Sequence, residues 1–271
     1  MTSLGVLTGG SYSYAYGVSG DGSVIVGESG STDGTRAFKY VDGTMSSLGV
    51  LTGGSYSYAN GVSSDGSVIV GYSRSTDGPR AFKYDSTNGM TSLGVLTGGS
   101  YSYAYGASGD GSVIVGESGS TNGNRAFKYV DGTMTSLGVL TGGTSSFANR
   151  VSSDGLVIVG QSGSTDGNRA FKYVDGTMTS LGVLTGGSSS EAIDVNSDGS
   201  VIVGSSGSTD GTRAFIYRNV MLDVTNTSTA LATTGLQLHS ILNYKNNILS
   251  QSLSANCNVF GVKKVLSLIH I

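Results

Sequence analysis

The chain has 271 residues, a net charge of −3 and only 12% charged side chains, with 45 glycines, one proline and one cysteine. So few charges give no basic stripe for a phosphate backbone and no polybasic anchor, which sets nucleic acid aside as a partner. Cys257 alone excludes a disulfide framework and a paired-cysteine metal site, and no apolar run approaches the ~18 residues that span a bilayer.

Met1, Met45, Met90, Met134, Met178 and Met221 recur every 43 to 45 residues, and nearly the same text follows each of the first five. A fixed period in the forties means one supersecondary unit copied and stacked. In the first unit, residues 2–7 (TSLGVL) read as a strand that runs on to Gly9-Gly10. Residues 14–18 (YAYGV) are rich in small side chains, which suits a crowded inner position near an axis. Residues 23–29 (SVIVGES) are short and β-branched, and residues 36–41 (RAFKYV) alternate, so both read as strands. Residues 44–51 repeat the opening strand.

Asp21-Gly22, Asp33-Gly34, Asp42-Gly43 and the Gly-Gly pair supply a corner at each junction. Glycine accepts positive φ without steric penalty and Asp tolerates the left-handed region, so these corners reverse the chain. No segment of a unit has helical periodicity, which removes crossover helices and a parallel sheet. Four short antiparallel strands per period predict a β-propeller of about five blades over residues 1–224, with a β-solenoid as the alternative.

After residue 224 glycine falls away. Leu231, Leu238, Ile241, Leu242, Ile248, Leu249 and Leu253 fall on one helical stripe, so residues 225–265 predict an amphipathic helix or linker that caps the array or leads to a further domain. The last six residues, 266–271 (LSLIHI), match the translation of a transposase end used in sequencing libraries and are excluded from fold reasoning. Because Met1 is itself the repeat methionine, the reading frame is expected to continue upstream.

The repeated text resembles a family of bacterial extracellular repeats named for a His-Ala-Phe triplet. The matching elements are Leu4-Gly5-Val6-Leu7-Thr8-Gly9-Gly10, then Ser13-Tyr14-Ala15, then Val24-Ile25-Val26-Gly27, and finally Arg36-Ala37-Phe38. The match recurs in five units and departs from the family in one way: Arg36, Arg80, Arg125, Arg169 and Arg213 stand where it has histidine. The resemblance implies an exported protein on the cell or outer-membrane surface. Residues 249–261 resemble the stretch leading into an autotransporter barrel, which would be the protein's contact with the membrane. The resemblance supplies no activity.

Asp33, Asp77, Asp166 and Asp210 each precede the recurrent arginine by three residues, and unit three has Asn122 there. The pattern reads as structural: either a repeated ion pair or a guanidinium bonding loop carbonyls. Tyr12, Tyr14 and Tyr16, Tyr56 and Tyr58, and Tyr101, Tyr103 and Tyr105 precede or occupy the small-residue strand. Residues two apart share a strand face, so the rings form a ladder that either packs between blades or stacks on sugar rings. Ser145, Phe147, Ser189 and Glu191 break the pattern in units four and five, making any ligand surface one-sided.

Each Asp-Gly turn offers one acid, too few for calcium, and the glycines lead into strands instead of helices, so no phosphate loop follows. No cofactor or metal is expected. The repeats contain no His and no Cys, which argues against a nucleophile–base pair and against an enzyme. The composition and repeats point to a structural or binding module for a glycan or a surface protein. Two alternatives stand beside it: a carbohydrate-active enzyme using Glu28, Glu117 and Glu191, and a passive spacer.

Overall fold

The computed structural model describes residues 1–218, in which nineteen strands and no helix are found. The first sheet contains β1 (Ser13–Val18), β2 (Ile25–Ser29), β3 (Arg36–Val41) and β4 (Thr44–Ser47). The second contains β5 (Ser57–Val62), β6 (Ile69–Ser75), β7 (Gly78–Asp85) and β8 (Gly89–Ser92). The third contains β9 (Ser102–Ala107), β10 (Ile114–Ser118), β11 (Arg125–Val130) and β12 (Thr133–Gly138), and the fourth β13 (Ser146–Val151), β14 (Ile158–Ser162), β15 (Arg169–Val174) and β16 (Thr177–Ser180). The last contains β17 (Ser190–Val195), β18 (Val201–Ser206) and β19 (Arg213–Arg218).

Within every sheet neighbours follow chain order and pair antiparallel. These are the blades of a β-propeller, and the sequential reversals rule out the solenoid. Compact packing holds residues 1–218 together as one unit. The expected helix at 225–265, the residues at 219–224 and the terminal six lie outside the described residues.

The corners explain the meander. Asp42 and Gly43 both have positive φ, at 49° and 80°, the two-residue turn whose twist matches the flanking strands. Asp131-Gly132 and Asp175-Gly176 repeat it. The corner at Asp21-Gly22 is longer than a tight hairpin: Ser19 N–H bonds Val24 O, and the Asp21 carboxylate accepts from the Ser19 hydroxyl and from Ser23 N–H. Those hydrogen bonds, the Ser19 one first, hold the Asp21 carboxyl down at about 2. The Gly-Gly corner works between blades: Gly54 N–H bonds Leu51 O as the chain passes from β4 to β5. A unit counted from its methionine therefore straddles two blades, because its first strand closes the preceding sheet.

The first strand of each blade is the innermost. A Cβ on Gly17 would lie 3.3 Å from the Gly61 Cα, and one on Gly61 3.2 Å from the Tyr105 carbonyl, so successive first strands meet backbone to backbone. The core lies between blades. Val26, Ala37 and Leu48 of blade 1 pack against Ala59, Ile69 and Phe82 of blade 2. The same face-to-face set recurs between later blades, with Val115, Ala126 and Leu137 against Ala148, Ile158 and Phe171.

A buried hydroxyl bonds each blade to the next. Ala37 N–H donates to Ser57 Oγ at 2.9 Å, and that hydroxyl donates to Gly49 O at 2.6 Å. Ser102, Ser146 and Ser190 accept from Ala81, Ala126 and Ala170 in the same way, each at 2.9 Å.

The glycine inside each second strand is fixed by steric contact. A Cβ on Gly71 would sit 1.9 Å from the Tyr58 carbonyl oxygen, whereas at Gly49, with φ +76°, it would meet nothing within 4 Å. Gly71→Ala is expected to destabilise the array by at least about 3 kcal/mol, and Gly49→Ala by only about 1–2 kcal/mol of left-handed strain. Urea unfolding followed by circular dichroism measures both. Equal losses would mean that strand approach does not select the glycine.

Candidate binding face at the inner strands

A β-bulge in each first strand sets up this face. Ala15 pairs with Gly27 and Gly17 with Val26, leaving Tyr16 as the extra residue. Asn60, Asn149 and Ile193 take that place in blades 2, 4 and 5, and Tyr105 in blade 3. A bulge bends the strand and re-aims its side chain. Tyr16 OH donates to Glu28 Oε1 at 3.0 Å, and Tyr105 OH to Glu117 Oε1 at 2.7 Å. Asn60 and Asn149 reach across to the next blade, donating to the carbonyls of Ala104 and Ala192.

The predicted tyrosines are half-buried or exposed, and they cluster more than they form a regular ladder. Tyr12 lies against Tyr14 at 5.8 Å between ring centroids, and Tyr101 against Tyr103 at 5.4 Å. The centre is Tyr72, directly opposite Tyr58 in the sheet. Its ring stacks on Tyr58 at 4.7 Å and meets Tyr103 of the next blade edge-on at 4.8 Å, while Tyr56 touches both Tyr58 and Tyr72. Tyr72 occupies the position held by Glu28 and Glu117, where sequence variation resembles drift; only the sheet register makes it the link between blades.

Two clefts open beside this cluster. One, of about 380 Å³, is walled by Tyr56, Tyr58, Asn60, Tyr72, Tyr103 and Tyr105. The other, of about 440 Å³, shares Tyr105 and adds Glu117, Phe147, Asn149, Gln161 and Asn168 among its walls. An aromatic cleft thus adjoins an amide-rich one. Phe147 and Gln161 belong to a unit that lacks the tyrosine pattern, so sequence reading overlooked them.

Burial, with the Glu28 hydrogen bond second, pushes the Tyr16 hydroxyl up to about 12. Burial also raises Tyr72 and Tyr105, so these phenols are neutral donors at physiological pH. Glu28 is 8% exposed, and its Oε2 has no hydrogen-bond partner among the described residues. Its burial raises the carboxyl above 4.5, opposed by the Tyr16 bond.

The three glutamates stand on blades 1, 3 and 5. Glu28 and Glu117 each bond their own tyrosine, and Glu191 accepts from Asn149. Among the described residues no three His, Cys, Asp or Glu side chains gather as a metal site.

The recurrent arginines bond backbone carbonyls. Arg36 Nη1 donates to Thr35 O and, across the blade junction, to Ser55 O at 2.8 Å. Arg80, Arg125 and Arg169 reach Ser100 O, Thr144 O and Ser188 O, each at 2.7 Å. The ion-pair alternative fails: the turn residues Asp33, Asp77, Asp166 and Asp210 make no salt bridge with them, and Arg169 bonds the Asp166 backbone carbonyl instead. Arg213 Nη1 donates to Thr212 O at 3.0 Å.

No family model and no curated protein matches the chain. Solved structures do. The fold is similar to TolB from Acinetobacter baumannii, with a TM-score of 0.53 and 15% identity over 76% of this chain and 52% of that one. It is also similar to a putative TolB from Agrobacterium tumefaciens, with a TM-score of 0.53 and 17% identity over 77% of each. A prolyl oligopeptidase B from Galerina marginata matches with a TM-score of 0.50 and 8% identity, over 77% of this chain and 32% of that one. The chain spans about half the length of the first of these proteins. At such identities the likeness establishes the propeller fold alone.

The raised Glu28 carboxyl fixes the sign of a pH effect. Between 4.5 and its folded value the native state holds a proton that the unfolded chain has released, so this contribution is present below 4.5 and is lost as pH rises. Glu28→Gln is therefore expected to be more stable than the parent at pH 7, by about 1 kcal/mol, with the difference closing on acidification below 4.5. Urea midpoints of both proteins across pH 4 to 7 test this. A pH-independent difference would remove the buried carboxylate as its cause.

Proposed function

We propose that this chain is an exported bacterial surface repeat protein that binds a glycan on the inner-strand face without transforming it. The Tyr58–Tyr72–Tyr103 cluster beside two adjoining clefts is the observation that carries this reading. Neutral rings that stack and donate hydrogen bonds suit sugar rings, whose faces are apolar and whose edges carry hydroxyls. Asn149, Gln161 and Asn168 add amides that both donate and accept. Nothing in either cleft favours an anionic ligand, since its only ionisable groups besides the phenols is the Glu117 carboxyl.

Binding without catalysis is supported by how the glutamates are engaged: Glu28 and Glu117 each accept from a tyrosine of their own blade and Glu191 from Asn149, so each serves a structural hydrogen bond. Surface display is supported by the resemblance of the repeats to the His-Ala-Phe family. A protein ligand at the same face is the second reading, favoured by the exposure of Tyr12, Tyr14 and Tyr16 at its edge.

A glycan array followed by calorimetry tests the proposal. Tyr72→Ala and Tyr103→Ala are each expected to weaken binding about tenfold, the scale of one lost aromatic contact. Bound oligosaccharide should be recovered uncut. A folded protein with no glycan signal above background would overturn the sugar reading, and released reducing ends would overturn the non-catalytic one. Protease treatment of intact cells making the full gene product should remove the repeats; full protection would overturn surface display.

A further inference from the structure

The cleft of about 440 Å³ between blades 3 and 4 has a polarity that its amide-rich walls conceal. Its size falls within the range of small-ligand sites, ~300–1,000 Å³. Three of its walls carry donors that are already engaged. Tyr105 OH donates to Glu117 Oε1 at 2.7 Å, and Asn149 Nδ2 donates to Glu191 Oε1 at 3.0 Å and to Ala192 O at 2.8 Å. Gln161 Nε2 donates to Ser190 O at 3.2 Å. A backbone carbonyl only accepts, so both amide nitrogens are turned to blade 5 and the orientation of both amides is fixed.

The groups left open on these walls are acceptors. Asn149 Oδ1, Gln161 Oε1 and Glu117 Oε2 have no hydrogen-bond partner among the described residues. None of the three is buried, because the one buried and unpartnered side-chain atom among the described residues is Glu28 Oε2. Donors come from the loops instead. Asn124 and Asn168 are exposed just before β11 and β15, and Tyr101 OH bonds Asn124 Oδ1, which leaves the Asn124 amide hydrogens open.

We propose that this cleft selects an amino sugar with a free, protonated amine, the ammonium donating to the acceptors of Glu117, Asn149 and Gln161. The inference rests on the sugar reading of the inner-strand face and names the residue that face prefers. An ammonium offers three donors and no acceptor, which matches three open acceptors, one of them charged. An N-acetyl group offers one N–H and a carbonyl, and the Tyr105 and Asn149 hydrogens that could meet that carbonyl are spent. The Tyr105 and Phe147 rings favour the same ligand, since aromatic faces attract a cation and pack on the apolar face of a sugar.

The charges beside the cleft do not oppose this. Arg125, Arg150 and Arg169 follow wall residues in the sequence, but none of them walls the cleft, and each is held on backbone carbonyls. Arg125 bonds those of Asn124 and Thr144, Arg150 those of Tyr105 and Asn149, and Arg169 those of Asn168 and Ser188. In blade 2 the residue equivalent to Glu117 is Tyr72, so the aromatic cleft has no carboxylate and suits a neutral sugar. Tyr105 walls both clefts, which places the two sugars next to each other.

An array of hexosamine oligosaccharides tests the inference, each presented as the free amine, the N-acetyl form and the neutral hydroxyl analogue, with calorimetry on the full chain at about physiological ionic strength. The amine form is expected to bind at least about tenfold more tightly than either analogue, the scale of a hydrogen bond to a charged group. Glu117→Gln keeps an oxygen for the Tyr105 hydroxyl and should weaken the amine form about tenfold, bringing the three forms together. Asp33→Asn removes the same charge outside both clefts, where unit three has Asn122, and should preserve the preference. Analogues that bind as tightly as the amine would overturn this inference and leave the sugar reading standing, whereas no binding by any form would overturn both. A preference that Asp33→Asn lowers as much as Glu117→Gln does would reduce it to general attraction by an acidic protein, and a short lysine peptide that binds equally well would reduce it to recognition of any amine. Either result sinks the inference. The comparison of the three forms on the parent protein stands even where a variant fails to fold.

Discussion

The junction between blades depends on one hydroxyl. Ser57, Ser102, Ser146 and Ser190 are 0–4% exposed, and each joins an alanine N–H of the preceding blade to a glycine carbonyl at the crossing. Without it two backbone groups would be buried unpaired, at about 1–3 kcal/mol each. The hydroxyl can serve both because it donates once and accepts twice. With that contact in place, the valine and phenylalanine of facing blades fall into register and the arginine reaches the next loop.

The same backbone then carries different chemistry. Every first strand bulges at the same place, but the extra residue is tyrosine, asparagine or isoleucine. The residue opposite Tyr14, Tyr58, Tyr103, Phe147 and Glu191 in the sheet is Glu28, Tyr72, Glu117, Gln161 and Ser205. Because these positions lie together at the inner strands, a few substitutions change successive clefts without disturbing the core. Stacked repeats isolate such changes, since each unit contacts only its neighbours.

Much of this was legible in the chain itself. The period, the alternating strands and the Asp-Gly corners determine an antiparallel meander, because turn chemistry and side-chain alternation are local properties. The small-residue strand was legible as the inner one for the same reason: Gly17 and Gly61 leave room where backbones meet. Local text could not show which strand belonged to which sheet, since the unit repeats and any starting point reads alike. Nor could it choose between the ion pair and the carbonyl bonds of the arginines, or find Tyr72 as the centre of the aromatic cluster. Those contacts join residues 19 to 44 positions apart, and only the packing of one blade on the next, fixed by the buried serine and the bulge, decides which of them meet.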